Sequence, residues 1–116
     1  YLGRGEAFVL VFFGPVAVGG TYYVQTLTLD GWVLLAGLGP GLISVAILTV
    51  NNLRDIRTDA RAGKRTLAVR FGPVFARWEY LVALALAALL PLVFALAGRA
   101  SAWIAMTSLT LVAAWP

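Results

Sequence analysis

The 116-residue chain contains no histidine and no cysteine. Those absences exclude a disulfide framework, zinc-finger ligand spacing, thiol nucleophiles and imidazole acid–base chemistry within this stretch. Charge is also scarce. Only 12% of residues are charged, against about 25% in ordinary soluble domains. A signal peptide is not present either, because the opening "YLGRGEAFVL" carries Glu6 and has no small-residue cleavage site. There is no initiating Met, and the sequence stops at Trp115-Pro116 inside an apolar run. Both ends are expected to be internal to a longer membrane protein.

What the chain does have is apolar sequence. Hydrophobic residues make up 61% of it, and the mean hydropathy is +0.90. Four apolar segments, at residues 7–29, 32–53, 79–97 and 102–116, approach the roughly 20 residues that a helix needs to cross a bilayer. They are continuous rather than alternating, so helices are expected and barrel strands are not. The fold class expected is all-α, a polytopic transmembrane helix bundle. The connections around Asp30 and Arg99 are short, which makes neighbouring spans antiparallel. A long motif loop is expected over residues 54–78.

Charge is concentrated at one end of these spans. Residues 51–79 hold ten of the fourteen charged side chains. Basic loops stay on the cytoplasmic side, and alternating spans put Arg4 on that side as well. Eight of the nine Lys and Arg then lie together, with Arg99 alone opposite. The net charge of +4 is too local for a nucleic-acid partner. Anionic membrane lipid or a phosphorylated substrate suits it better. Gly and Pro interrupt the spans at "FGPVAVGG" and "GLGPGL". Such residues either kink and closely pack membrane helices or widen a cavity between them.

The most informative stretch is "NNLRDIRTDARAGKRTLAVRFG", residues 51–72. No Pro or Gly occurs between Leu42 and Ala62, so the second span is expected to run on as helix until Gly63 ends it. Asn51, Asp55 and Asp59 then fall at i, i+4 and i+8 on one face. Asn52 flanks the same stripe. Two carboxylates at that spacing suit Mg2+, which prefers oxygen ligands and commonly bridges carboxylates to phosphates. Lys64 and Arg65 follow, suited to phosphate oxygens. A second reading stays open on spacing alone. Arg54, Arg57 and Arg61 could pair with Asp55 and Asp59 along a solvated helix end, while Lys64, Arg65, Arg70 and Arg77 anchor to headgroups.

This stretch closely resembles the second aspartate-rich motif of the UbiA superfamily of membrane prenyltransferases, and within it the dihydroxynaphthoate branch of menaquinone synthesis. "FFGPVAVGGTYYVQT", residues 12–26, resembles the stretch one helix earlier in that branch. The resemblance implies a nine-span bundle around a cavity open to the membrane of a bacterial cell. It implies Mg2+, a polyprenyl diphosphate and an aromatic acceptor. The reaction implied is prenyl transfer to 1,4-dihydroxy-2-naphthoate with decarboxylation, giving demethylmenaquinone. Asp55 and Asp59 would be metal ligands, and Asn51 and Asn52 would orient or support that site. Lys64 and Arg65 would contact diphosphate, with Arg54 assisting. Tyr22, Tyr23 and Gln25 would line the cavity. Tyr is also common at membrane interfaces, and a Gln within a span also bonds neighbouring helices. Glu6 is either a surface charge or a polar lip.

One departure bears on activity. Before Asn51 the only acids are Glu6 and Asp30, which do not form the first aspartate-rich motif of that family. The chain by itself is therefore expected to be inactive. Two other readings remain: a UbiA-type enzyme with another aromatic or lipid acceptor, and a membrane transporter or channel segment.

Overall fold

The structure is a computed structural model and describes residues 3–113, with side chains described as far as Leu109. The order is α1 (Gly5–Val11), a π-helical turn (Phe12–Val16), α2 (Ala17–Thr26), α3 (Gly31–Arg54), α4 (Ile56–Arg61), α5 (Leu67–Leu96), a 3₁₀ turn (Ala102–Ala105) and α6 (Met106–Ala113). No strand occurs among the described residues. Three stretches are long and apolar enough to cross a membrane: Gly5–Thr26, Gly31–Arg54 and Leu67–Leu96. The chain is thus a helical membrane bundle. The last apolar segment begins as the 3₁₀ turn and α6, and its final residues lie outside those described.

Local chemistry sets where each span ends. The first span stops at Thr26 because Leu27 turns left-handed (φ 55°). The Thr26 and Thr28 side chains bond to each other there, at 3.1 Å. Asp30 then caps α3, its Oδ1 accepting from the Trp32 amide at 3.0 Å. At the far end of α5, Gly98 is left-handed (φ 65°). The Arg99 guanidinium sits 5.0 Å over the Trp32 ring, and Trp32 meets Phe94 edge-on at 5.5 Å. These aromatics and their cation tie both turns together at the end of the bundle remote from the acidic motif.

Two sequence expectations change here. The span expected to run unbroken to Ala62 is interrupted at Asp55 (φ −95°, ψ 10°), where α3 ends and α4 begins. The Asp55 amide still bonds Asn51 O, and the Asp59 amide still bonds Asp55 O. The break is a local unwinding at one residue. The long loop expected over residues 54–78 is also mostly helix. The irregular connection shrinks to residues 62–66, and α5 starts at Leu67, capped by Thr66 Oγ1 on the Val69 amide. Hydropathy marks where lipid ends, whereas a helix continues as long as its backbone can bond. Gly72 (φ 85°, ψ 175°) breaks α5 once, and Pro73 restarts it, as Pro favours a first helical turn.

The spans pack as a layer measuring 48 × 33 × 15 Å. Its small core is Val45, Ala46, Ala83 and Leu84, flanked by Val9, Leu10, Leu42 and Tyr80. The first span meets α3 through glycine. A Cβ on Gly41 would lie 2.6 Å from Leu10 O, and one on Gly37 would lie 2.8 Å from Pro15 Cα. A Cβ on Gly14 would lie 2.8 Å from Gly37 O. Backbone touches backbone, so close packing accounts for these three glycines. Gly39 and Pro40 instead border an apolar cavity of about 450 Å³ with Ile43, Leu90, Pro91 and Phe94. The two readings of the Gly-Pro segments are thus divided between neighbouring residues of one helix.

Gly41→Ala should destabilise the full-length protein by about 1–3 kcal/mol, because its new methyl meets backbone that cannot move aside. Gly39→Ala, whose Cβ meets only Leu90 Cδ1 at 3.8 Å, should be tolerated. Unfolding of both variants in detergent checks the contrast, and equal midpoints would refute the backbone contact.

Candidate functional site

The charged end of the layer carries the site. At the end of α4, Gly63 adopts φ +71°, which glycine reaches without steric cost. The Lys64 amide bonds Asp59 O at 3.0 Å and the Gly63 amide bonds Ala60 O at 3.2 Å. This paired pattern is a Schellman turn. It reverses the chain so that Lys64 folds back on the helix it has just left. Its Nζ donates to Asp59 Oδ1 at 2.9 Å. Asp59 is only 7% exposed, so its charge needs this partner.

Across from this pair stands the first span. Glu6, 8% exposed, accepts a hydrogen bond on Oε1 from Asn52 Nδ2 at 2.9 Å. Glu6, Asn52, Asp59, Lys64 and Thr66 line one recess of about 330 Å³, floored by Val9 and Leu48. The glycine contact holds α1 against α3 so that Glu6 reaches Asn52. One turn before Asn52, Thr49 is 1% exposed and bonds Val45 O. The Thr49 hydroxyl also interacts with the Glu79 carboxylate, which lies close enough to Glu6 to act on it electrostatically.

The expected stripe of Asn51, Asp55 and Asp59 does not line one recess. The three have different surroundings. Asn51 is exposed and borders a cavity with Ile43, Ile47 and Tyr80. Asp55 is half-exposed and receives two bonds from Arg54, from Nε and NH2, each 2.9 Å. It is Asn52, not Asn51, that shares the recess with Asp59. Arg65 is exposed on the connection to α5, and its carbonyl lies against Gly3. Tyr22, Tyr23 and Gln25 are exposed near the end of the first span, on the order of 24 Å along it from Glu6 at the helical rise. Tyr23 borders a shallow apolar cavity with Pro15, Gly19 and Leu34. These three side chains do not meet the acidic end.

Glu6 and Thr66 are the members of the recess to which the sequence assigned no defined role. Glu6 stands out in the sequence as an acid at the mouth of an apolar span, but its partner on another helix cannot be read from one chain. Thr66 is recognisable as a helix cap just after a glycine stop.

Chemically the recess is a set of hard oxygen donors beside a cation. Carboxylate and carboxamide oxygens suit a hard divalent ion and not a soft one. Among the described residues, however, no group of three or more acidic side chains is gathered closely enough to hold a metal. The donors fit Mg2+ in type.

The profile of the UbiA prenyltransferase family matches residues 2–116. A 1,4-dihydroxy-2-naphthoate octaprenyltransferase of Haemophilus influenzae is 52% identical over 97 residues, covering 84% of this chain and 32% of the relative. A protein of the same name from Mycobacterium tuberculosis is 54% identical over 98 residues, covering 84% and 33%. The human UbiA prenyltransferase domain-containing protein 1 is 39% identical over 75 residues, covering 65% and 22%. The chain spans about a third of the length of the bacterial relatives it matches. No solved structure matches it significantly.

The Arg54 fork, chiefly by hydrogen bonding, holds the Asp55 carboxyl below its ordinary value. Desolvation opposes the shift, and the charges of Arg54 and Lys64 add to it. A lowered folded-state value means that the interaction contributes fully above the ordinary carboxylate range. It is lost as pH falls through the lowered value. Carbon-detected titration of Asp55 should give a midpoint below that of Asp in a model peptide, and Arg54→Ala should raise it. An unshifted midpoint would show that the fork does not persist.

Proposed function

The chain belongs to the UbiA prenyltransferase family, and from that premise we propose that the whole protein transfers a polyprenyl group to 1,4-dihydroxy-2-naphthoate. Loss of CO2 leaves the quinol form of demethylmenaquinone, in a step of menaquinone synthesis. The printed names of the bacterial relatives support this acceptor. The observation that carries the chemistry is the ion pair between buried Asp59 and exposed Lys64 beside Asn52, in a recess at the end of membrane helices. Ionisable groups there are costly and tend to be retained for function.

In this proposal Asp55 and Asp59 bind Mg2+, and Lys64, Arg65 and Arg54 meet the diphosphate. Mg2+, when bound, neutralises charge on the departing diphosphate. Lys64 already holds Asp59 Oδ1, so a carboxylate that would hold the ion and a cation that would meet the diphosphate stand side by side. Arg54 is exposed and releases Asp55 readily, since exposed pairs are held weakly. The allylic C–O bond breaks with its electron pair leaving on diphosphate. The naphthoate ring carbon attacks the allylic carbon, and loss of the carboxylate as CO2 leaves its bonding pair in the ring and restores aromaticity. Apolar walls keep water from the cation. Asn51, Tyr22, Tyr23 and Gln25 are assigned to the substrate cavity.

The chain is an integral membrane protein. We assign it to the bacterial cell membrane with the acidic end facing the cytoplasm, because eight of nine Lys and Arg lie toward that end. Family membership counts against the transporter reading. Another aromatic or lipid acceptor is the alternative within the family.

The test is transfer from a polyprenyl diphosphate to dihydroxynaphthoate by the full-length protein. Asp55→Ala and Asp59→Ala should each lower kcat/KM by about 100-fold or more, as losing a charge-stabilising group does. Chelation of Mg2+ should abolish transfer, and residues 1–116 alone should show none. Full activity in both variants would remove the two aspartates from the site.

A further inference from the structure

Glu6 is buried in the recess, yet the proposed reaction gives it no task. Its Oε1 accepts from Asn52, and its Oε2 is buried without a hydrogen-bond partner. Glu79 of α5, a charge of the same sign, lies close enough to interact with it. Lys64, the cation of the recess, is bonded to Asp59. An acid so placed is a poor choice for stability alone, because buried carboxylates need compensation.

What a carboxylate does there that an apolar or amide side chain cannot do is choose. An ionised carboxylate accepts hydrogen bonds and never donates. An asparagine carboxamide has two faces, one an acceptor oxygen and the other a donor NH2, related by a half-turn about its last bond. Glu6 can bond only the nitrogen. With Nδ2 held at 2.9 Å, covalent geometry turns Oδ1 the other way, and Asn52 borders the recess that Asp59 also lines. The recess is thereby offered an oxygen instead of an NH2.

We propose that Glu6 is a positioning residue that locks the Asn52 carboxamide with its oxygen toward the recess. Asn52 and Asp59 then present oxygen together to a hydrated divalent cation. The inference rests on the metal-diphosphate reading above. It adds that a residue of the first span, outside the aspartate motif, sets the donor character of that motif. Outer-shell partners that orient ligands typically change metal affinity by about 10–100-fold when removed.

The test uses the full-length protein in detergent and Mn2+ as probe, with inorganic pyrophosphate present, reading free Mn2+ by electron paramagnetic resonance. Glu6→Gln keeps a hydrogen bond to Asn52 but permits either amide orientation. It should weaken Mn2+ binding about tenfold. Asn52→Ala should weaken it comparably. The double variant Glu6→Gln/Asn52→Ala should be no worse than Asn52→Ala alone, because Glu6 acts only through Asn52. Glu6→Gln/Asn52→Asp exchanges acid and amide at unchanged net charge and returns an oxygen to the recess. It should bind within about threefold of wild type, as the restored donor set requires. That variant also decides the matter if Asn52→Ala fails to fold.

Unaltered affinity in Glu6→Gln would overturn the inference, as would losses that multiply in the double variant or no recovery in the exchange. Asp59→Asn separates the two levels. Loss of binding in Asp59→Asn with full binding in Glu6→Gln removes only the role of Glu6. A wild-type protein without saturable Mn2+ binding, or an Asp59→Asn variant that binds normally, removes the metal reading and this inference together.

Discussion

The contact on which the rest of the molecule depends is the backbone meeting of the first span with α3 at Gly14, Gly37 and Gly41. Lipid is as apolar as leucine, so membrane helices gain little from burying apolar side chains against one another. They associate through close contact and polar bonds instead. Glycine permits that closeness, and at these three positions any side chain would strike backbone. The contact also fixes register. From Gly41 to Asn52 is about three turns, and from Gly14 back to Glu6 about two. Since the spans are antiparallel, both paths lead to the same end of the layer. Glu6 and Asn52 meet there because the glycines meet in the middle of the spans.

At that end the chain solves a second problem, which is how to keep acids near lipid. Asp55 and Asp59 are handled differently. Asp55 stays half in water and is held by its neighbour Arg54, needing no tertiary structure. Asp59 is buried and is held by Lys64, which arrives only because Gly63 reverses the chain. The first arrangement is set by adjacency, and the second by a turn that other residues would strain. A buried carboxylate depends on the cation that a turn brings to it, while an exposed pair can exchange partners at little cost. On the function proposed above, that difference makes Asp59 the fixed ligand and Asp55 the mobile one.

Much of this was legible in the sequence, for identifiable reasons. Apolar length gave the spans, because a bilayer imposes a minimum on every helix that crosses it. Gly63 read as a stop because positive φ is nearly its own property. "NNLRDIRTDARAGKRT" read as a family motif because its residue types and order are specific. The single stripe failed at Asp55. At 3.6 residues per turn, Asn52 and Asp59 lie about 20° apart in direction and Asn51 and Asp59 about 80° apart. The pairing of Asn52 with Asp59 in the recess follows from that closer alignment. The long loop failed for a different reason: hydropathy reports on solvent, and residues 67–78 are charged in part yet belong to the same helix as the apolar run after them. The Glu6–Asn52 bond was illegible because it joins residues 46 apart, and no local pattern marks it.

The shape of the layer explains why its polar chemistry is confined to one end. At 15 Å it is little more than one helix thick. Large side chains such as Phe13, Val24, Ile47, Phe75 and Leu89 stand exposed on it, and its buried apolar residues are mostly alanine. Such a sheet of helices cannot enclose a charged ligand within its own thickness. It can cradle one only where the helices end, because there turns and caps supply polar groups that the spans have used up internally. The recess of Glu6, Asn52, Asp59, Lys64 and Thr66 is built from such parts: a span mouth, the last turn of α3, a Schellman turn and a cap. The opposite end has its own turns, but there Arg99 is stacked on Trp32 and Asp30 is committed to capping α3. One end of the layer spends its charges on closing the structure. The other has a buried carboxylate oxygen left without a partner, and that asymmetry points the chemistry to the acidic end.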